Sequence, residues 1–248
     1  MLRISKLTDY GTVVLVTMLG NEGRLMSASE LSDITNINFP TVSKILTKDD
    51  EIIVPAYTYA ASALAVINSN VKCIFVDVND DFTINIEKIE HVITKNTKAI
   101  MPVDLGGLPA DYLSLRKLLN KKSVKAKFNG KTDFQNKMGR PIIISDAAHS
   151  IGSTINGIPT TIYSDFSIFS FHSVKNITTG EGGAITFKLF NKKFEENVIK
   201  QLRLLSLNGQ NKSAFEKNNL GGWKYDILTN GIKVNMPDIN ASIGLAQI

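Results

Sequence analysis

From Glu51 onward, short apolar runs alternate with stretches whose apolar residues recur at helical spacing. Glu51-Ile-Ile-Val54 reads as a strand, and Pro55-Ala-Tyr-Thr-Tyr-Ala-Ala-Ser as a loop entering a helix that continues to about Ser69. Strand Val71 to Val78, helix Ile86 to Thr94, strand Lys98 to Val103 and helix Tyr112 to Leu119 follow. Strands are then expected around Ile143, Ile168 and Ile185, with a helix from Phe194 to Leu205. Alternation of this kind predicts a parallel sheet with right-handed crossovers, because parallel neighbours need a covering helix between them. Lys121 to Gly139 is polar and lysine-rich, and is expected to be an exposed excursion.

The first 48 residues have a different texture. Thr8 to Leu19 carries apolar residues at helical spacing, and Ser27 opens a second helical stretch three positions ahead of Glu30, the arrangement of a capping box. After a break at Asn36 to Asn38, Pro40 suits the first turn of a further helix. Helix, turn and helix in this order predict a helix-turn-helix. The charged junction Lys48-Asp-Asp-Glu51 divides the chain into a segment 1–48 and an α/β region 49–248.

Composition narrows the class. At 248 residues and 43% hydrophobic content the chain is long enough for a large α/β domain with a sizeable core. The single cysteine, Cys73, excludes an intramolecular disulfide and reads as a small core residue, so a reducing, cytoplasmic setting is expected. No apolar stretch has membrane-spanning length, and Met1-Leu-Arg-Ile-Ser-Lys lacks the apolar core of a signal peptide. A net charge of +5 permits phosphate-bearing partners, but the lysines are scattered.

Two segments carry candidate chemistry. Pro141-Ile-Ile-Ile-Ser-Asp-Ala-Ala-His149-Ser150 is an apolar run ending in an acid, Asp146, at the edge where open α/β sheets bind ligands. Phe166, Ile168, Phe169 and Phe171 read as a buried strand delivering Lys175 into a loop with Gly180, Gly182 and Gly183. A lysine amine kept from water is a nucleophile for carbonyl groups, forming a Schiff base. On pattern alone Lys175 also reads as a surface lysine beside a turn, Asp146 as a helix-capping or turn aspartate, His149 as a hydrogen-bonded core residue and Ser170 as a strand-end serine.

Together, Asp-Ala-Ala-His-Ser and Ser-Phe-His-Ser-Val-Lys-Asn-Ile-Thr-Thr-Gly-Glu-Gly-Gly resemble the DegT/DnrJ/StrS sugar aminotransferases, a branch of the fold-type-I pyridoxal-phosphate enzymes. The resemblance covers about residues 50–248 and implies the three-layer, parallel-sheet large domain of that fold. It implies pyridoxal 5'-phosphate as cofactor, held covalently by Lys175, which then moves protons. Asp146 would pair with the pyridine nitrogen, keeping the ring an electron sink. His149 would lie against the cofactor, Tyr59 would stack on its ring with Tyr57 as competitor, and Ser170 would contact its phosphate. Thr58 would assist near the substrate. The resemblance continues through Gly231-Ile-Lys-Val-Asn-Met-Pro, where Lys233 would reach the phosphate in a neighbouring subunit, followed by Asn235. It therefore implies a C2 homodimer, a nucleotide-linked keto-sugar as substrate, and glutamate as the amino donor.

Residues 1–47 are similar instead to the start of the IscR-type (Rrf-two) regulators, in Met1-Leu-Arg-Ile-Ser-Lys-Leu-Thr-Asp-Tyr-Gly and Pro40-Thr-Val-Ser-Lys-Ile-Leu46. That likeness implies that Thr41, Ser43 and Lys44 face DNA, and stops near Thr47. Two departures from the aminotransferase pattern accompany it. The small-Gly-Thr turn that cradles the cofactor phosphate in the family is replaced, and the chain ends at Ile248, where the smaller domain would begin. The expectation is therefore a fusion or truncated frame with weakened cofactor binding. The alternatives are a DNA-binding regulator with an aminotransferase-derived dimerisation or sensing domain, and an inactive fusion remnant.

Overall fold

The computed structural model describes residues 49–212, 217, 223–229 and 231–248. The expected helix-turn-helix over 1–48 lies outside the described residues. Eight strands are described: β1 (Glu51–Pro55), β2 (Lys72–Val76), β3 (Thr97–Ile100), β4 (Ile142–Asp146), β5 (Thr154–Ile155), β6 (Ile158–Pro159), β7 (Phe166–Ser170) and β8 (Gly183–Phe187). Seven α-helices accompany them: α1 (Ala60–Ile67), α2 (Ile86–Val92), α3 (Tyr112–Asn120), α4 (Lys122–Lys127), α5 (Asp133–Met138), α6 (Lys192–Ser206) and α7 (Asp238–Leu245).

Six strands form one sheet in the order β2-β1-β3-β4-β7-β8, while β5 and β6 pair separately. The first five strands of that order are parallel. β1 and β3, in the interior, are buried along their whole length. Beyond the polar positions Glu51, Thr97 and Lys98 at their amino ends, these strands are apolar because helices cover both faces. Successive side chains nonetheless point to opposite faces. Ile53, Ile100 and Ile143 pack with Ile89 of α2 and with Leu115 and Leu119 of α3. Ile52, Val54, Ala99 and Ile142 pack on the other side with Val66 of α1, Phe134 of α5 and the flank of α6 at Phe194 and Val198. Helix starts are set locally: Asn85, Asp111, Thr132 and Asn191 each accept a backbone N–H of the first turn they precede.

Three features differ from the sequence expectation. β8 runs antiparallel to β7, with Phe166 opposite Phe187. No helix separates the two strands, and without a crossover the returning chain pairs in the opposite direction. Within β7, Ile168 is 39% exposed while Phe166 and Phe169 are buried, so the apolar run is not buried throughout. The lysine-rich stretch 121–139 is not simply an exposed excursion. It folds into α4 and α5, which bury Val124, Phe134 and Gln135. Phe134 stacks on Phe194 at 5.6 Å, and Gln135 donates to Asp50 just before β1. A few apolar residues dispersed among lysines are enough to seat the segment, and the lysines remain at its surface.

At the amino ends of β4 and β7, Arg140 makes a bidentate pair with Asp165, at 2.8 and 2.9 Å, and Asp165 also accepts the amide of Ile143. Both side chains are nearly buried, at 10% and 7% exposure. Arg140→Ala strands the carboxylate in a place that water barely reaches. Chemical denaturation is expected to show a loss of about 3–5 kcal/mol, the range for removing one partner of a buried pair.

Candidate active site

The carboxyl ends of the parallel strands collect the candidate groups, as the topology of open α/β sheets dictates. β4 ends in Ser145 and Asp146, whose side chains point to opposite faces of the sheet. Asp146 is half-buried. Its Oδ2 accepts from Ser62 Oγ of α1 at 2.6 Å, and its Oδ1 accepts from the amide of Ala148 at 3.2 Å. Ser62 in turn lies 2.9 Å from Thr58 Oγ1 in the loop after β1. The turn beyond Asp146 brings His149 to Lys175, with Nε2 and Nζ 2.6 Å apart. Since an ammonium has only donors, a Lys175 ammonium there makes His149 the acceptor, with its ring proton on Nδ1.

Lys175 stands in a turn closed by its amide to the carbonyl of His172. The glycine-rich stretch that follows is tightly folded. A Cβ on Gly182 would stand 2.4 Å from Thr179 Oγ1, and Gly180 has a φ of +75°. This loop is held from a distant part of the chain. Asn240 of α7 donates to the carbonyls of Thr179 and Glu181, and Gln247 exchanges two hydrogen bonds with the backbone of Thr178. On the opposite side Gly107, with φ of +87°, leaves a Cβ position 3.1 Å from the carbonyl of His149, so the 105–107 turn presses on the His149 turn only because the residue is glycine.

Beneath this surface lies a second strand-end acid. Asp104, 1% exposed, accepts from Tyr112 Oη at 2.7 Å, Ser150 Oγ at 2.6 Å and the amide of Ala110 at 3.1 Å. Ser145 Oγ lies 2.5 Å from Tyr112 Oη. Burial pushes the Asp104 carboxyl above its ordinary value; the donors from Ser150, Tyr112 and Ala110 oppose that rise, and the nearby Asp146 adds to it. Burial and the Asp104 charge push Tyr112 well above the usual phenol range, so it remains a donor. The network ties Asp146's strand to the turn of His149 through residues 145 and 150.

The other expected site residues are placed as follows. Tyr59 is the N-cap residue of α1, next to Thr58, with its ring 80% exposed. Tyr57 is also exposed and packs against Phe82 at 5.0 Å between centroids. Ser170 ends β7, half-buried, and accepts from the amide of His172. Lys233 is exposed and donates to Asn235 in its own segment. The fold therefore groups Lys175 with His149 and Asp146 with Thr58, while Lys233 makes its contact elsewhere. A cleft of about 890 Å³ along α6, bordered by Leu207 and Asn235, is lined by none of Lys175, His149 and Asp146. Sequence reasoning missed Ser62, Asp104, Asn240 and Gln247. Asp104 carried a legible signal, since Ala99 to Val103 is another apolar run ending in an acid.

Comparison with known proteins identifies the family. The family model described as the DegT/DnrJ/EryC1/StrS aminotransferase family matches residues 41–128 and 133–248. The chain belongs to that family, whose cofactor is pyridoxal phosphate. It is 34% identical over 201 residues to the uncharacterized protein MJ1066 of Methanocaldococcus jannaschii, covering 80% of this chain and 46% of that one. It is 30% identical over 202 residues to the spore coat polysaccharide biosynthesis protein SpsC of Bacillus subtilis, with the same coverage. Spr1654 of Streptococcus pneumoniae in its PMP form superposes with a TM-score of 0.73 at 38% identity, covering 89% of this chain and 53% of that one. The chain thus spans about half the length of the relatives it matches. The family match begins at residue 41, inside the segment read as a helix-turn-helix. Among the described residues no helix is long and apolar enough to cross a membrane, and no cluster of His, Cys, Asp and Glu is arranged to hold a metal ion.

The residues present fit the cofactor. A half-buried amine, an imidazole in contact with it and a carboxylate oriented by two donors stand along one sheet edge, the donor set that an aldehyde and a basic ring nitrogen require.

Because the folded state raises the Asp104 carboxyl above its ordinary value of 3.8, its contribution to stability is full below that value and is lost as pH rises through the higher, folded one. Asp104→Asn keeps the shape and removes the titration. The melting temperature of the variant is expected to gain on the wild type as pH rises from about 4. An offset independent of pH would contradict the assignment.

Proposed function

We propose that this chain carries the cofactor-binding part of a pyridoxal-phosphate-dependent sugar aminotransferase, moving an amino group from glutamate to a nucleotide-linked keto-sugar. The observation that carries the reading is the contact of Lys175 with His149, three residues beyond Asp146 on the adjoining strand end. Family membership supports the reaction class. The designation of Spr1654 as a sugar aminotransferase and the polysaccharide role in the name of SpsC support a sugar substrate.

When bound, the cofactor supplies an electron sink that lets an amine leave one carbon and enter another. The protein's residues do the rest. Lys175 anchors the group through its amine and afterwards carries a proton between the reacting carbons. Asp146, oriented by Ser62 and Ala148, would hold a proton at the ring nitrogen. His149 orients the lysine amine. Tyr59, whose side chain is exposed, would cover one face of the ring, and Ser170 would contribute a hydroxyl to the phosphate.

The carboxyl-terminal part exposes Trp223, Ile227, Ile239 and Leu245, each by 67% or more. Apolar surface of this kind supports a second copy of the chain as the covering partner, in a C2 dimer where Lys233 reaches the neighbouring site. The reading places the enzyme in the cytoplasm, where Cys73 stays reduced.

Purified protein incubated with pyridoxal phosphate is expected to show an absorption band of the covalently held cofactor, bleached by glutamate. Lys175→Ala should lose the band, and borohydride should fix the cofactor to wild type alone. Identical spectra for the two proteins would remove Lys175 as the anchor.

A further inference from the structure

We infer that Ser62 is a positioning residue: its hydroxyl sets the rotamer of Asp146 and fastens it to the loop that bears Tyr59. The functional meaning rests on the reading above, while the geometric claim stands on the protein alone.

A serine inside a helix ordinarily bonds back to a carbonyl one turn earlier, as Ser242 of α7 does to Ile239 at 2.7 Å. Ser62, in the first turn of α1, does not. Its side chain, 4% exposed, reaches a partner 84 residues away in sequence, on a strand separated from β1 by β3. A hydroxyl has one proton, and here it goes to Asp146 Oδ2. Its oxygen is then left to accept from Thr58 Oγ1. The result is a directed chain, Thr58 to Ser62 to Asp146, that begins next to Tyr59. Tyr59, the N-cap residue of α1, makes no side-chain cap of its own. The chain therefore ties the acid assigned to the ring nitrogen to the loop segment beside the aromatic assigned to the ring face, through the buried hydroxyl of Ser62. Ala148 holds the other oxygen of the carboxylate at 3.2 Å, a longer bond that leaves Ser62 as the tighter of the two donors. A donor to an ionised acceptor is also the stronger kind of hydrogen bond.

The test has two independent arms. In the first, crystal structures of the cofactor-free wild type and Ser62→Ala are compared. The wild type is expected to show one Asp146 rotamer, and the variant a turned or divided one; an unchanged single rotamer would overturn the inference. This arm decides the matter even if the wild-type chain takes up no cofactor, an outcome that would sink only the proposed function. In the second, pyridoxal phosphate is titrated spectroscopically into wild type, Ser62→Ala and Ser62→Thr. Ser62→Ala is expected to bind about tenfold more weakly, as loss of a hydrogen bond to a charged group implies. Ser62→Thr, which keeps the hydroxyl, is expected to recover most of the affinity. Alanine is a good helix former, so the melting temperature of Ser62→Ala should stay close to that of the wild type. Equal affinity in all three proteins, or equal weakening in both variants, would refute the positioning role.

Discussion

Burial of parallel strands on both faces is the constraint from which the site follows. Strands such as β1 and β3, enclosed by helices on either side, keep their polar side chains, Glu51, Thr97 and Lys98, at their amino ends and carry apolar ones beyond. Hydrogen-bonding groups are pushed to the ends, where the sheet stops and loops begin. Asp104 and Asp146 occupy the same edge for this reason, one following β3 and the other closing β4. Their fates differ with depth. Asp104, out of reach of water, collects donors from Tyr112, Ser150 and Ala110, whereas Asp146 stays half-open and is steered by α1.

Much of the architecture was legible in the alternation of apolar runs and helical periods. The elements from β1 to α3 and the long α6 lie close to where the pattern puts them, because each buries a face that its own sequence declares. What escaped was decided by partners remote in sequence. Nothing local in Lys121 to Gly139 reveals that Phe134 meets Phe194 or that Gln135 meets Asp50. The direction of β8 depended on the absence of a crossover helix, which a strand's own residues do not encode.

The site divides in the same way. Lys175, Asp146 and His149 stood out as candidates because they lie in short segments with an unusual combination of residue types, and the fold brings the lysine and histidine into contact. Ser62 was silent, since a serine in an alanine-rich first turn looks like a helix-entry residue. Asn240 and Gln247 were silent because amide side chains declare no partner until the chain has folded back.

Those two amides have a bearing on how the structure is reached. The loop that carries the lysine and the groups that clamp it are 61 and 69 residues apart. A nascent chain emerges from its amino end, so the glycine-rich segment leaves the ribosome before the α7 amides that clamp it. Until α7 appears, the carbonyls of Thr178 and Thr179 have only water to bond. The loop around Lys175 thus receives its clamp from α7 only after the strands beneath it have been made.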